Sequence, residues 1–184
     1  MSAQADNLEV LLGELDLDIG DSEIIVQTPG TYSALRLGKC AFFFAPNTKA
    51  NIRVDDGLAV RVVHLLQGAL HSVFDPEAVA ERAVITRHAT IAIRGTALYT
   101  ELDEEKNRTC TCCCYGRILI ETSSETEVQR AAYHSPRVIN SSGQIDRLSG
   151  KGLNHHSSEN LNFLEKSVGR RAGVVDRLKY ILPR

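Results

Sequence analysis

Four of the five cysteines of this 184-residue chain fall within five consecutive positions, in Thr109-Cys110-Thr111-Cys112-Cys113-Cys114-Tyr115-Gly116. The segment otherwise reads as a β-strand, and side chains alternate faces along a strand. Cys110, Cys112 and Cys114 therefore share one face, and Cys113 points to the other. Three thiols in a row can be soft ligands for Zn, Cu(I) or an Fe–S cluster. They can equally be small apolar side chains packed in a core. Redox pairing of Cys112 with Cys114 is a third chemistry; adjacent Cys113 and Cys114 would be strained as a disulfide. Cα atoms two apart on a strand lie roughly 6.5–7 Å from each other. Their sulfurs can lean together on one ion, though not in the relaxed geometry of a C-x-x-C turn, and a local distortion or bulge would help. Further ligands can come from His134 and from His155 or His156, in loops that can fold back over the β region. The candidate metal set is Cys110, Cys112, Cys114, His134 and His156. Cys40 stands alone and reads as core.

The elements that would position these side chains are mostly strands. Residues 1–21 form an acidic lead, in which Leu8, Leu11, Leu12 and Leu15 follow helical spacing around Gly13 and predict a short amphipathic helix. Residues 22–122 hold many short β-favouring runs, among them Tyr32–Leu37, Cys40–Ala45, Leu58–Leu66, Ala69–Phe74, Thr90–Ile93 and Thr109–Tyr115. Pro29-Gly30, Gly38-Lys39, Asp56-Gly57, Gln67-Gly68 and Asp75-Pro76 punctuate them as turns. Asp75 is placed to cap a turn of helix over Pro76–Arg82, or a loop takes that place. Residues 123–184 are loop followed by C-terminal helices packed on the β domain. Ser157 or Ser158 caps the first helix, with Glu159 in its first turn, Leu161, Leu164 and Val168 on one face, and Gly169 as its stop. Residues 174–182 suggest a second. The fold class expected is mainly β, a roll, solenoid or sandwich with one or two C-terminal helices.

Composition narrows the function. Formal charge is −2, aromatic residues make up 5% and Trp is absent, which argues against a nucleic-acid partner. No apolar run is long enough for a membrane-spanning helix. The first twenty residues contain no Lys or Arg, unlike a secretory signal. An odd number of clustered cysteines fits a reducing cytoplasm. No hydrolase elbow, phosphate loop, dinucleotide fingerprint or H-E-x-x-H motif occurs, so an enzyme is not expected. His64, His71 and His88 read as strand or turn residues that are structural or solvent-facing. The basic end Arg170-Arg171 with Arg177 and Lys179 reads as a solvated helix face.

The run Ala89-Thr90-Ile91-Ala92-Ile93-Arg94-Gly95-Thr96-Ala97-Leu98-Tyr99 resembles the hallmark of FecR-domain proteins, A-T-(I/V)-(G/A)-(I/V)-R-G-T followed by a strand. Leu66–Phe74 is similar to the strand before that hallmark. Cys112–Gly116, Ser135–Ile139, Leu164-Glu165 and Val168–Arg170 resemble a subgroup of small FecR-like bacterial proteins. In that match His156 falls on the subgroup's N-H position, and His134 one or two places from its His-His pair. The resemblance implies a compact, non-catalytic β-rich domain, and in its better-known members a membrane-anchored periplasmic sensor of iron uptake that signals to a sigma factor. This chain departs from those sensors: it shows no membrane span and no Trp-containing N-terminal region, and it adds the cysteine cluster. Arg94-Gly95 in the hallmark reads as a turn, with Arg94 in a structural role that could be a buried guanidinium, and a contact to a ligand anion is the alternative. The leading expectation is a soluble binding or sensing module with an unknown small ligand or protein partner. A small metalloprotein holding Zn or an Fe–S cluster is the second reading. A self-assembling homo-oligomer built on exposed strand edges is the third.

Overall fold

The computed structural model describes residues 7–77, 81–94, 97–148 and 153–170. Fifteen strands and one α-helix are present among them. The strands are β1 (Leu8–Leu12), β2 (Asp16–Ile19), β3 (Glu23–Gln27), β4 (Ser33–Leu37), β5 (Cys40–Phe44), β6 (Lys49–Asp55), β7 (Ala59–Gln67) and β8 (Ala69–Val73). They continue as β9 (Arg82–Ile85), β10 (Thr90–Ile93), β11 (Ala97–Asp103), β12 (Arg108–Glu121), β13 (Thr126–Ala131), β14 (Ser135–Ile139) and β15 (Ile145–Arg147), before helix α1 (Ser158–Ser167).

All fifteen belong to one continuous ribbon, ordered β1-β4-β5-β8-β11-β12-β10-β9-β7-β6-β3-β2, with β13, β14 and β15 attached through β12. Pairing is antiparallel except for β7 with β9. The ribbon folds into two layers because β12 serves both. Its first half pairs with β11 and β14, and its second half with β10 and β13. Between the halves stands Gly116, at φ 103°, a conformation open to glycine and awkward for any other residue. Strands that turn a corner in this way pass from one sheet to the next.

The main core lies between the layers. Leu35, Phe42, Leu70, Leu98 and Cys113 face Ile24, Ile52, Val63, Ile91 and Ile118 across it. A second, smaller core covers the outer face of the first layer, where Ala41, Val73, Ala97, Tyr99, Cys112, Cys114 and Tyr115 meet Leu161 and Leu164 of α1. The mainly β architecture with a C-terminal helix therefore agrees with the sequence. So does the helix itself: Ser157 Oγ accepts the Asn160 amide, and Gly169 at φ 73° closes the other end. The Arg170 amide donates to Glu165 O and the Gly169 amide to Lys166 O, the paired bonds of a Schellman stop.

Three expectations are corrected. The acidic lead forms strands rather than a helix. Pairing of β1 with β4 and of β2 with β3 overrides the helical spacing; the β1 register shifts between Val10 and Leu12, so that Leu8 packs toward the inner core and Leu11 toward the outer one. Residues 126–147, expected as loop, supply β13 to β15; their apolar content is low because the strands are partly exposed. Arg94 is exposed and ion-paired with Glu81 at 3.0 Å, rather than buried. Of the proposed turn of helix over Pro76–Arg82, Glu77 lies in a turn and Arg82 opens β9, while 78–80 lie outside the described residues. The second helix at 174–182, the basic end beyond Arg170, and Gly95 and Thr96 of the R-G-T run also lie outside them.

Candidate metal centre

Pairing of β11 with β12 matches Leu98 to Cys113 and Ala97 to Tyr115, so Cys114 has no residue opposite and forms a β-bulge. Two residues on the bulged strand then share one face in succession. Cys112, Cys114 and Tyr115 all join the outer core, whereas Cys113 joins the inner one. Cys112 and Cys114 share the outer face by ordinary strand alternation, and the bulge adds Tyr115 to the same side. Both sulfurs are buried.

Two histidines reach them from different parts of the chain. His134 lies in the connection between β13 and β14. Its amide donates to the Cys114 carbonyl at 3.0 Å, and its φ of 29° is uncommon for a non-glycine residue. Its Nδ1 sits 3.8 Å from Cys112 Sγ. His156 immediately precedes the N-cap of α1, and its Nε2 sits 3.3 Å from Cys114 Sγ. The two imidazoles meet edge to face with centroids 4.4 Å apart. One donor atom from each of Cys112, Cys114, His134 and His156 lies within 4.8 Å of every other. A tetrahedral Zn2+ site takes four N and S donors at roughly 2.0–2.3 Å, so a small inward movement closes this set around one ion.

The electrostatics already lean toward ligation. The hydrogen bond from the Cys114 thiol, then those from His134 and His156, hold Cys112 well below the ordinary thiol range against the effect of burial. Burial, reinforced by the neighbouring Cys112 sulfur, pushes Cys114 well above it. The thiolate is the metal-binding form, and here one of the two sulfurs is readily in it. Burial pushes Cys110 up to about 11 and Cys113 up to about 12.

A buried polar network fixes the loop that carries His156. Tyr99 Oη donates to Glu101 Oε2 at 2.8 Å, and the His155 amide donates to Tyr99 Oη at 3.3 Å. Asn154 Nδ2 donates to Glu101 Oε1 at 2.9 Å. Burial, with the Glu101 carboxylate beside it, raises the Tyr99 hydroxyl far above its ordinary value, so it stays a donor. The Tyr99 ring meets His156 edge-on at 5.1 Å.

The structure thus brings together four of the five residues expected as metal ligands. Cys110 lies outside the group, one strand step further along β12. His155 turns instead to Tyr32, with Nδ1 2.9 Å from its hydroxyl. Cys40 is core, as expected. His71 was expected to be structural or solvent-facing; it is buried directly beside the group, with Nε2 3.3 Å from Cys114 Sγ. Its neighbours Ala69–Phe74 carried no signal of this, because the contact depends on which strands pair. Burial, then the nearby His156 and His134, push the His71 imidazole well below its ordinary value.

No protein-family model matches the chain, and no curated protein matches it. Solved structures do. Two crystal structures of a "putative anti-sigma factor" from Parabacteroides distasonis resemble it, one with a TM-score of 0.56 at 12% identity over 78% of this chain, the other with 0.50 at 14% over 84%. Each match covers 65% of the solved chain, so this chain spans less than two thirds of their length. At such identity the likeness is one of fold: a β-rich architecture shared with those anti-sigma-like structures. No helix among the described residues is long and apolar enough to cross a membrane.

Proposed function

We propose that this chain is a non-catalytic metal-binding module on an anti-sigma-like β scaffold, holding one Zn2+ ion between Cys112, Cys114, His134 and His156. The observation that carries this is the convergence of four donor atoms within 4.8 Å, two of them thiols that alternate onto one face of β12. Zn2+ accepts mixed S and N donors without preference for an oxidation state or a planar geometry. An Fe–S cluster fits the spacing less well. It contains several irons and bridging sulfides, and its ligands spread around that volume rather than around a point. The donors are buried or half-buried and supply a complete four-ligand shell, the character of a structural rather than a catalytic zinc.

The ion's role is to clasp the segment 153–170 to the sheet. Cys112 and Cys114 come from β12, His134 from the connection between β13 and β14 and His156 from the lead into α1, so one ion ties three separate segments. A sensing role follows from this coupling: loading with the ion sets how firmly α1 covers the outer face. The resemblance of Ala89–Tyr99 to FecR domains, and the β-rich fold shared with the anti-sigma-like structures, support such a role with a protein partner; the odd number of clustered cysteines supports a reducing, cytoplasmic setting.

The test is elemental analysis of anaerobically purified protein. The wild type and Cys110→Ser are expected to carry one Zn2+ per chain and no colour, and Cys112→Ser and Cys114→Ser to carry almost none. Equal metal content in all four proteins overturns the proposal, as does a stoichiometric iron chromophore in the wild type.

A further inference from the structure

Strand pairing lines up Phe43 of β5, His71 of β8, Tyr99 of β11 and Cys112 of β12 as successive neighbours across the first layer. His71 is thereby set on the floor beneath the candidate centre, 1% exposed. Its ring is held on two sides, nearly parallel to His156 at 5.1 Å and perpendicular to Tyr99 at 5.9 Å. Its Nε2 addresses Cys114 Sγ at 3.3 Å, the same distance as His156 Nε2 on the same sulfur. His71 is outside the four donors that lie within 4.8 Å of one another, and four donors complete a tetrahedral shell.

The other ring nitrogen identifies the tautomer. His71 Nδ1 is buried and has no hydrogen-bond partner. A buried N–H without an acceptor is rarer than a buried lone pair without a donor. The proton therefore belongs on Nε2, facing the sulfur. A thiolate sealed in an apolar layer needs such a donor, since a buried charge is costly unless hydrogen-bonded. Metal ligands are commonly held by outer partners of this kind, though the usual case is a histidine ligand bonded to a carboxylate or carbonyl. Here the roles are inverted: the imidazole is the outer partner and the sulfur is the ligand.

We infer that His71 is a positioning residue of the metal centre, its Nε2–H donating a hydrogen bond to the Cys114 thiolate when that sulfur binds the ion; this rests on the ion-binding role proposed above. The bond draws electron density from the Cys114 thiolate. It fixes the Cys114 rotamer toward the ion and makes that sulfur the weaker donor of the pair.

Cobalt(II) substitution tests this, because the sulfur-to-cobalt charge-transfer band reports the electron density on the ligating sulfur. The proteins compared are the full-length wild type, His71→Phe and His71→Gln. Phenylalanine keeps an aromatic ring between His156 and Tyr99 without a donor, and glutamine keeps an N–H near the Nε2 position. The wild type is expected to bind one Co2+ with tetrahedral absorption. In His71→Phe the charge-transfer band moves to lower energy and Co2+ affinity falls about 10–100-fold. In His71→Gln the band returns toward the wild-type energy. Should His71→Phe not fold, the flexible, donor-free His71→Met takes its place. A band that stays put in the donor-free variant overturns the inference, whether or not affinity changes, since lost packing alone weakens binding without moving the band. Failure of the wild type to show the charge-transfer band removes the metal centre itself, a result distinct from a wild type that binds and a His71→Phe variant identical to it.

Discussion

The His156 imidazole lies 3.3 Å from the Cys114 sulfur although 42 residues separate them. The contact joins the strand that turns between the two layers to the segment that leads into α1. Whatever strengthens that contact also holds the helix against the sheet, and whatever weakens it frees both.

Removal of the ion is expected to loosen α1 before it loosens the main core. Leu161 and Leu164 pack on the first layer's outer face, whereas the inner core is closed by strand pairing that involves none of the four donors except through β12. Hydrogen exchange measured with and without a chelator checks this. Amides of 158–167 should lose protection first, while those of β6 and β7 keep theirs.

Leu164→Ala is expected to weaken metal binding although Leu164 ligates nothing. The fully buried side chain anchors the helix whose lead delivers His156, and its truncation destabilises by about 2–5 kcal/mol. Part of that loss appears as a lower Zn2+ affinity, measurable by competition with a chromophoric chelator. Zn2+ affinity unchanged from the wild type would separate helix docking from the centre.

Gly68→Ala is expected to destabilise the fold by roughly 2 kcal/mol or more, read from chemical denaturation. Gly68 turns the chain from β7 to β8 at φ 82°, and an added Cβ would stand 2.5 Å from Thr48 Oγ1 and 2.8 Å from Thr48 Cα. Thr48 cannot yield easily. Its hydroxyl donates to Ala45 O at 2.8 Å, and the Ala69 amide donates to it at 3.2 Å.

Asp103 gives the fold a dependence on acid. Burial raises its carboxyl, but the Lys106 amide and the Arg108 and Lys106 charges together outweigh burial and hold it below the usual carboxylate range. A carboxyl depressed in the folded state stabilises fully above its unfolded pKa, about 3.9, and the contribution fades as pH falls through the folded value. Asp103→Asn should therefore melt below the wild type at pH 7, by an amount equivalent to about 1 kcal/mol or less. The two melting temperatures should converge as pH drops below about 4. A gap that persists undiminished at low pH would assign the loss to packing.

Much of this was legible from local pattern. The strands between 22 and 122 announced themselves because Pro, Gly, Asn and Asp divide β-favouring runs at short intervals, and α1 because Ser157 and Gly169 bracket a helical stripe. The opposed directions of Cys112 and Cys113 follow from period 2. The bulge at Cys114 does not, since it arises from the register against β11, and period 2 alone gave no reason to separate Cys110 from its neighbours. His71 was hidden for a related cause: its importance lies in a strand two places away, which local sequence does not specify. Leu8 to Leu15 misled because two short strands around Gly13 place leucines at intervals a helix would also use.

Gly13 joins β1 to β2, the two ends of the ribbon's pairing order. A stretch of twelve residues, Leu8 to Ile19, thus supplies the end strand at each end of that order. A chain lacking the residues up to Ile19 would move both end positions inward, exposing the sides of β4 and β3 that now pair with β1 and β2, and each would be a template on which another copy of the molecule could zip.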